Sequence, residues 1–149
     1  MAEPPSLKAR AIALLARREH SRAELRRKLR DDPQAGEQLD TVLDELAQAG
    51  WQSDARFASA YVHDHLARHG RHRLQAALRE RGIADALIAE ALATVPEGQD
   101  EISRARDIWT RKFGQRAADS REWAKQARFL QSRGFGHEVI RRLLGEQDD

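Results

Sequence analysis

The sequence predicts an all-α protein in which one three-helix unit is used three times. Three observations lead there. Alanine (25) and leucine (16) far outnumber isoleucine (6) and valine (4), a bias that favours helix because it costs little side-chain entropy there. The apolar residues recur three and four positions apart, the spacing of one helix face. Finally, "LRERGIADALIAEAL", Leu78 to Leu92, returns 52 residues later as "LQSRGFGHEVIRRLL", Leu130 to Leu144. Leucines open and close both stretches, an Arg-Gly pair sits inside each, and Leu87 with Ile88 falls on Val139 with Ile140. The same shift carries Phe57 and Tyr61 onto Trp109 and Phe113. At an offset of 49, Leu25 and Leu29 match Leu74 and Leu78, before an insertion around "DDPQAG" breaks register. A unit this small buries too little apolar surface alone, so stacked neighbours complete the core.

The elements follow in chain order. Pro4 and Pro5 keep residues 1–6 a loose leader, because proline forbids helix immediately before it. A first helix runs from about Leu7 to Arg18, with Leu7, Ala11, Leu14 and Leu15 on one face. Ser21 and Glu24 form a capping box that starts a second helix carrying Leu25 and Leu29. Asp32-Pro33 reads as a cap followed by proline at the first position of a third helix, which Gly50 stops. Its apolar residues are Leu39, Val42, Leu43 and Leu46.

A fourth helix begins after Ser53 and carries Phe57, Tyr61 and Leu66 to about Arg68; a fifth carries Leu74 and Leu78 and ends at Gly82. The sixth starts near Asp85 and carries Leu87, Ile88 and Leu92. "TVPEG" at 94–98 is the clearest linker. The seventh spans roughly Gln99 to Phe113. Asp119 and Glu122 open the eighth, which Gly134 ends, and the ninth occupies about His137 to Leu144. The expected units are 7–51, 52–95 and 96–145, with an acidic tail at 146–149.

Composition excludes several classes of function. There is no cysteine, hence no disulfide and no thiolate metal site. The longest early apolar run, "AIALLA" at 11–16, is too short and too closely flanked by charge for a secretory signal or a membrane span. A soluble cytoplasmic protein is expected. Nothing along the chain pairs a nucleophile with a base, or two carboxylates, so neither an enzyme nor a cofactor is expected.

Charge is segregated behind a net value of only +2. Residues 7–30 hold nine basic and two acidic side chains, 68–81 five and one, and 104–142 eleven and four. Acids gather on helix three, at Glu37, Asp40, Asp44 and Glu45, and in the tail. On helix two, Arg26, Arg27 and Arg30 fall opposite Leu25 and Leu29; Arg128, Arg133, Arg141 and Arg142 avoid the apolar stripes of helices eight and nine in the same way. Arginine outnumbers lysine 22 to 4, which suits bidentate contact with phosphate or carboxylate. Segregation of this kind reads as a basic surface for an anionic partner; the plainer alternative is a solvated face balanced by nearby acids.

Other clusters carry less. "HDHLARHGRH" holds His63, His65, His69 and His72, and His65 with His69 has the i, i+4 spacing of a shared metal on a helix. No further ligand is evident, and a polar helix end is the expected reading. "RGFGH" at 133–137 lacks the Lys-Ser or Lys-Thr continuation of a phosphate loop, so its glycine is a helix stop. The aromatics Trp51, Phe57, Tyr61, Trp109, Phe113, Trp123, Phe129 and Phe135 fall at helical or repeat-equivalent positions and are expected in the core rather than stacked on bases.

Three stretches together resemble the RecX family, regulatory proteins that modulate the RecA recombinase: "SRAELRRKL" at 21–29, "LDELAQAGWQSDARFASAYV" at 43–62 and "AKQARFLQSRGF" at 124–135. The resemblance runs from about Leu7 to Leu144. Family members tend to carry a Gly-aromatic-Gly-Pro turn before the fifth helix; here "HGRHRL" is one residue shorter and has no proline. The resemblance implies an elongated, curved helical array lying in the groove of the RecA–DNA filament. There it hinders filament growth and lowers ATP hydrolysis, strand exchange and co-protease activity. It implies RecA and single- and double-stranded DNA as partners of a monomer; the basic helix faces make Arg26, Arg27, Arg30, Arg71, Arg73, Arg79, Arg128, Arg133, Arg141 and Arg142 the residues expected to make that contact. The acids of helix three would meet RecA or, more in keeping with the balance of charge, their own basic neighbours. The alternatives are a stand-alone helical DNA-binding module of helix-turn-helix type and a scaffold for some other protein.

Overall fold

A computed structural model of the chain describes residues 5–95 and 99–145. Most of the leader, residues 96–98 of the expected linker and the tail at 146–149 lie outside these. Among the described residues there are nine helices and no strand. They are α1 (Leu7–Arg17), α2 (Arg22–Leu29), α3 (Gln38–Gln48), α4 (Asp54–His65), α5 (Arg71–Glu80), α6 (Asp85–Ala93), α7 (Gln99–Lys112), α8 (Ser120–Ser132) and α9 (His137–Leu144). None is long and apolar enough to cross a membrane.

Local chemistry accounts for most of the boundaries. Ser21 accepts from the Glu24 N–H (3.1 Å) while the Glu24 carboxylate accepts from the Ser21 N–H (3.1 Å), the expected capping box. Asp119 accepts from the Glu122 N–H (2.8 Å) and starts α8. Three helices stop in one way. Gly50, Gly82 and Gly134 take positive φ, and the next residue's N–H returns to a carbonyl five residues before it: Trp51 to Leu46, Ile83 to Leu78, Phe135 to Leu130. Glycine adopts that conformation without strain, and the returning bond satisfies a carbonyl the helix leaves free.

Two boundaries depart from expectation. The third helix starts at Gln38, not at Pro33. Asp32 caps a turn instead, its side chain accepting from the Gln34 N–H and its carbonyl from the Ala35 N–H. Gly36 then takes φ +34° and interrupts any helix begun at Pro33. The fourth helix ends at His65 rather than Arg68, because the chain tightens into a turn in which the Arg68 and His69 N–H groups share the His65 carbonyl.

The chain divides into two compact units, residues 1–61 with 78–91 and residues 62–77 with 92–149, and the division passes through α4, α5 and α6. In the first, Leu7, Ala11, Leu25, Leu29, Ala35, Leu39, Leu43 and Leu46 form a buried cluster, with Ile12, Leu14, Leu15 and Val42 packed on it. In the second, Ala105, Leu130, Phe135 and Ile140 form the buried centre, flanked by Ile108, Trp109, Trp123 and Phe129. Trp109 donates to the buried Gln126 side chain (2.9 Å), whose amide in turn donates to the Gln115 carbonyl (3.0 Å). Both ends of that glutamine are thereby satisfied, as burial demands. Trp51 departs from the expected core: it follows Gly50, where the chain leaves α3, and remains 49% exposed.

Each unit contains one end-to-end helix joint. In the first, the Ser21 hydroxyl at the start of α2 donates to the Arg81 carbonyl at the end of α5 (2.8 Å), and Gly82 lies against Ala23. In the second, the Gly70 N–H at the start of α5 donates to the Arg133 carbonyl at the end of α8 (2.7 Å), and Gly134 lies against Arg73. Ser21 and Gly70 are 49 positions apart, Arg81 and Arg133 are 52 apart. These are the offsets of the sequence repeat. The shortened "HGRHRL" turn is thus the place where Gly70, with no side chain, admits another helix end to its backbone.

Candidate nucleic-acid interface

The basic side chains separate into those occupied inside the protein and those left open. In the first unit α3 supplies the counter-charges. Asp40 pairs with Arg26 (2.6 Å), Asp44 with Arg22 (2.7 Å) and Glu45 with Lys8 (3.2 Å). Arg10 holds Asp32 (2.6 Å) and Arg18 holds Glu24 (3.0 Å). The acids of helix three therefore balance the basic faces of α1 and α2. Arg79 is likewise taken, by Asp85 (3.0 Å). Arg27 and Arg30 are exposed and make no ion pair among the described residues.

Several arginines satisfy helix ends. Arg71 is only partly exposed, and its guanidinium donates to the carbonyls of Leu92 (2.9 Å) and Val95 (3.5 Å) where α6 stops. Arg73 donates to the Ser132 carbonyl at the end of α8 (2.9 Å). Arg104 points to the Leu66 and His69 carbonyls beyond α4 (3.3 and 3.5 Å); burial lowers the pKa of its guanidinium. A cation at a helix C-terminus both donates to orphan carbonyls and meets the negative end of the dipole. Arg71 and Arg73 are thus engaged within the protein, while Arg26, Arg79 and Arg142 sit in exposed ion pairs, Arg142 with Glu138 (3.2 Å). Such exposed pairs are weak, at roughly 0–1 kcal/mol, and exchange readily for another anion.

The second unit leaves more cation open. Arg128 and Arg141 are exposed without an ion pair among the described residues, and Arg133 lies over the Phe129 ring, 5.2 Å from its centroid. Lys112 approaches the same ring (5.7 Å). Two more open cations on α8, Arg121 and Lys125, were not among the residues expected from sequence. Their spacing with Arg128, i, i+4, i+7, was the available signal.

The histidine cluster forms no metal centre of three or more ligands among the described residues. His65 and His69 stack, with ring centroids 5.6 Å apart and planes 13° from parallel. Burial, reinforced by Arg73, His65, Arg68 and Arg133, lowers the His69 pKa to about 4. His20 is buried and accepts at Nε2 from Lys28 (3.1 Å) while Nδ1 donates to the Arg18 carbonyl (3.0 Å), so it is neutral; burial first of all lowers its pKa too.

Comparison with known proteins places this arrangement. Family models described as the first, second and third three-helix domains of RecX match residues 8–46, 53–92 and 99–144. A protein of Chromobacterium violaceum named Regulatory protein RecX is 45% identical, over 99% of this chain and 96% of its own. One of Ralstonia nicotianae with the same name is 41% identical, over 98% of this chain and 91% of its own. The crystal structure of RecX from Lactobacillus salivarius superposes with a TM-score of 0.78 over 92% of this chain and 91% of that one. At 17% identity that last likeness speaks to the fold. Three matched domains and two near-full-length relatives make this chain a member of the RecX family.

Proposed function

We propose that the protein regulates the RecA recombinase by binding the RecA–DNA filament and hindering its extension, which lowers ATP hydrolysis, strand exchange and co-protease activity. It acts in the cytoplasm as a monomer, without catalysis, cofactor or metal. The observation that carries this reading is 45% identity, over nearly the whole of both chains, to a protein named Regulatory protein RecX. The open and exchangeable arginines support it, since a periodic anionic assembly offers many weak contacts rather than one deep pocket. Three units, 7–51, 52–95 and 96–145, each contribute. Arg27, Arg30, Arg128, Arg133 and Arg141 contact DNA or RecA directly; Arg26, Arg79 and Arg142 join by exchanging their carboxylates, while Arg71 and Arg73 hold helix ends in place.

ATP hydrolysis by the cognate RecA on single-stranded DNA, titrated with this protein at fixed salt, tests the reading. Inhibition well below one molecule per RecA subunit is expected. No inhibition, together with tight sequence-selective binding to duplex alone, would establish the stand-alone DNA-binding module instead.

A further inference from the structure

The second helix of each three-helix unit carries basic residues, yet their surroundings differ. On α2, Arg22 and Arg26 are neutralised by Asp44 and Asp40 from α3. On α5, Arg71 and Arg73 are occupied by helix-end carbonyls and Arg79 by Asp85. On α8, Arg121, Lys125 and Arg128 are all exposed and make no ion pair among the described residues. At 3.6 residues per turn these three lie within an arc of about 60° and span about 10 Å of helix. Leu130, fully buried, points the opposite way. The carboxylates of that helix, Glu122 and the capping Asp119, lie at its first turn, and the Asp119 side chain is held by a backbone N–H.

We propose that contact with the nucleic-acid backbone is concentrated on this face of α8, with Arg121, Lys125 and Arg128 as a three-cation track for phosphates. This rests on the reading of the protein as a regulator acting on a DNA-containing filament, and adds where the DNA strand runs. The choice of a polyphosphate over an acidic protein surface follows from the arrangement. Three like charges stacked along one stripe repel each other when free, and a ligand with closely spaced, regularly repeated negative charge relieves all three at once. A protein surface offers carboxylates at irregular spacing. The track differs in kind from the first unit, where cations of equal number already have partners.

The test compares two triple variants of the full-length protein with equal loss of charge, R121Q/K125Q/R128Q on the open track and K8Q/R18Q/R22Q on the paired set. Binding to a short DNA duplex without RecA is followed by fluorescence anisotropy from about 50 to about 200 mM salt. The open-track variant is expected to lose about 2–3 from the log–log salt slope, and the paired variant less than about 1. Equal losses in the two variants, or an unchanged slope in the first, overturn the proposal. So does an unchanged slope accompanied by lost inhibition of RecA, which makes the stripe a protein-binding face. All six side chains are at the surface, and circular dichroism verifies that both variants fold. Wild-type inhibition of RecA ATP hydrolysis, measured alongside, keeps the two readings separate: its absence rejects the regulator, whereas the slope difference alone decides the track.

Discussion

The Ser21 hydroxyl joins residues 60 positions apart: it accepts from the Glu24 N–H to cap α2 and donates to the Arg81 carbonyl at 2.8 Å. Ser21 is fully buried, so neither bond has water as a substitute. One side chain thereby starts a helix in one repeat and finishes a helix in the next.

Replacing that serine separates the two roles. Ser21→Ala removes cap and joint together, and is expected to cost about 2 kcal/mol, a cap being worth about 1 and a buried carbonyl left alone about 1 more. Ser21→Asp restores a good cap but no donor, and aims a carboxylate at the Arg81 carbonyl. Urea denaturation should find no rescue by aspartate. Recovery to wild-type stability would mean that the joint contributes nothing.

The glycines provide a matched pair. Gly50 and Gly82 have almost the same φ, +81° and +80°, but a Cβ at Gly50 meets nothing within 4 Å, whereas one at Gly82 meets the Ala23 Cβ at 2.5 Å. Gly50→Ala carries only the strain of the left-handed conformation, about 1 kcal/mol. Gly82→Ala adds the clash between helix ends and should lower the thermal midpoint clearly further. Equal midpoints would show that the joint opens without cost.

Leu130 is wholly buried in the cluster with Ala105, Phe135 and Ile140. Leu130→Ala leaves a cavity there and is expected to cost about 2–5 kcal/mol. Wild-type stability by chemical denaturation would contradict the placement of this repeat's core.

Acid should loosen the protein through its histidines. His69 moves from an ordinary 6.5 to about 4 on folding, so between those values the unfolded chain binds the proton more readily. Stability is then complete above about pH 6.5 and is lost progressively as pH falls towards 4. His20, also shifted down, acts in the same direction. Denaturation midpoints at pH 7 and pH 5 should differ less in His69→Gln than in the wild type; an equal difference would exonerate His69.

Much of this architecture was legible in the sequence because its signals are local. Ser21 with Glu24, Asp119 with Glu122, and the positive-φ glycines each complete their bonding within one turn of helix. The start of α3 misled because Asp32-Pro33 fits two local structures, and Gly36, three residues on, selected the turn. Trp51 misled because apolar character records what a residue tolerates, not whether a neighbour arrives to cover it. The site was only half legible. A helical wheel shows that Arg26 and Arg128 both face outward, but not that Asp40 from another helix meets the first while no carboxylate among the described residues pairs with the second. Likewise, Arg71 reads as surface charge until the end of α6, some twenty residues on, is brought to it. Neutralisation is a tertiary property.

The joint between helix ends has a polarity that matters beyond stability. A start-of-helix donor is a plug, Ser21 on α2 and Gly70 on α5; an end-of-helix carbonyl is a socket, Arg81 on α5 and Arg133 on α8. Among the described residues the first repeat therefore brings a plug and the third a socket, while the middle repeat brings one of each. A tandem copy of the middle repeat would find a match at both ends, and a copy of either outer repeat would not. Among the described residues, the joints therefore run in one direction, from the start of the second helix of one repeat to the end of the second helix of the next.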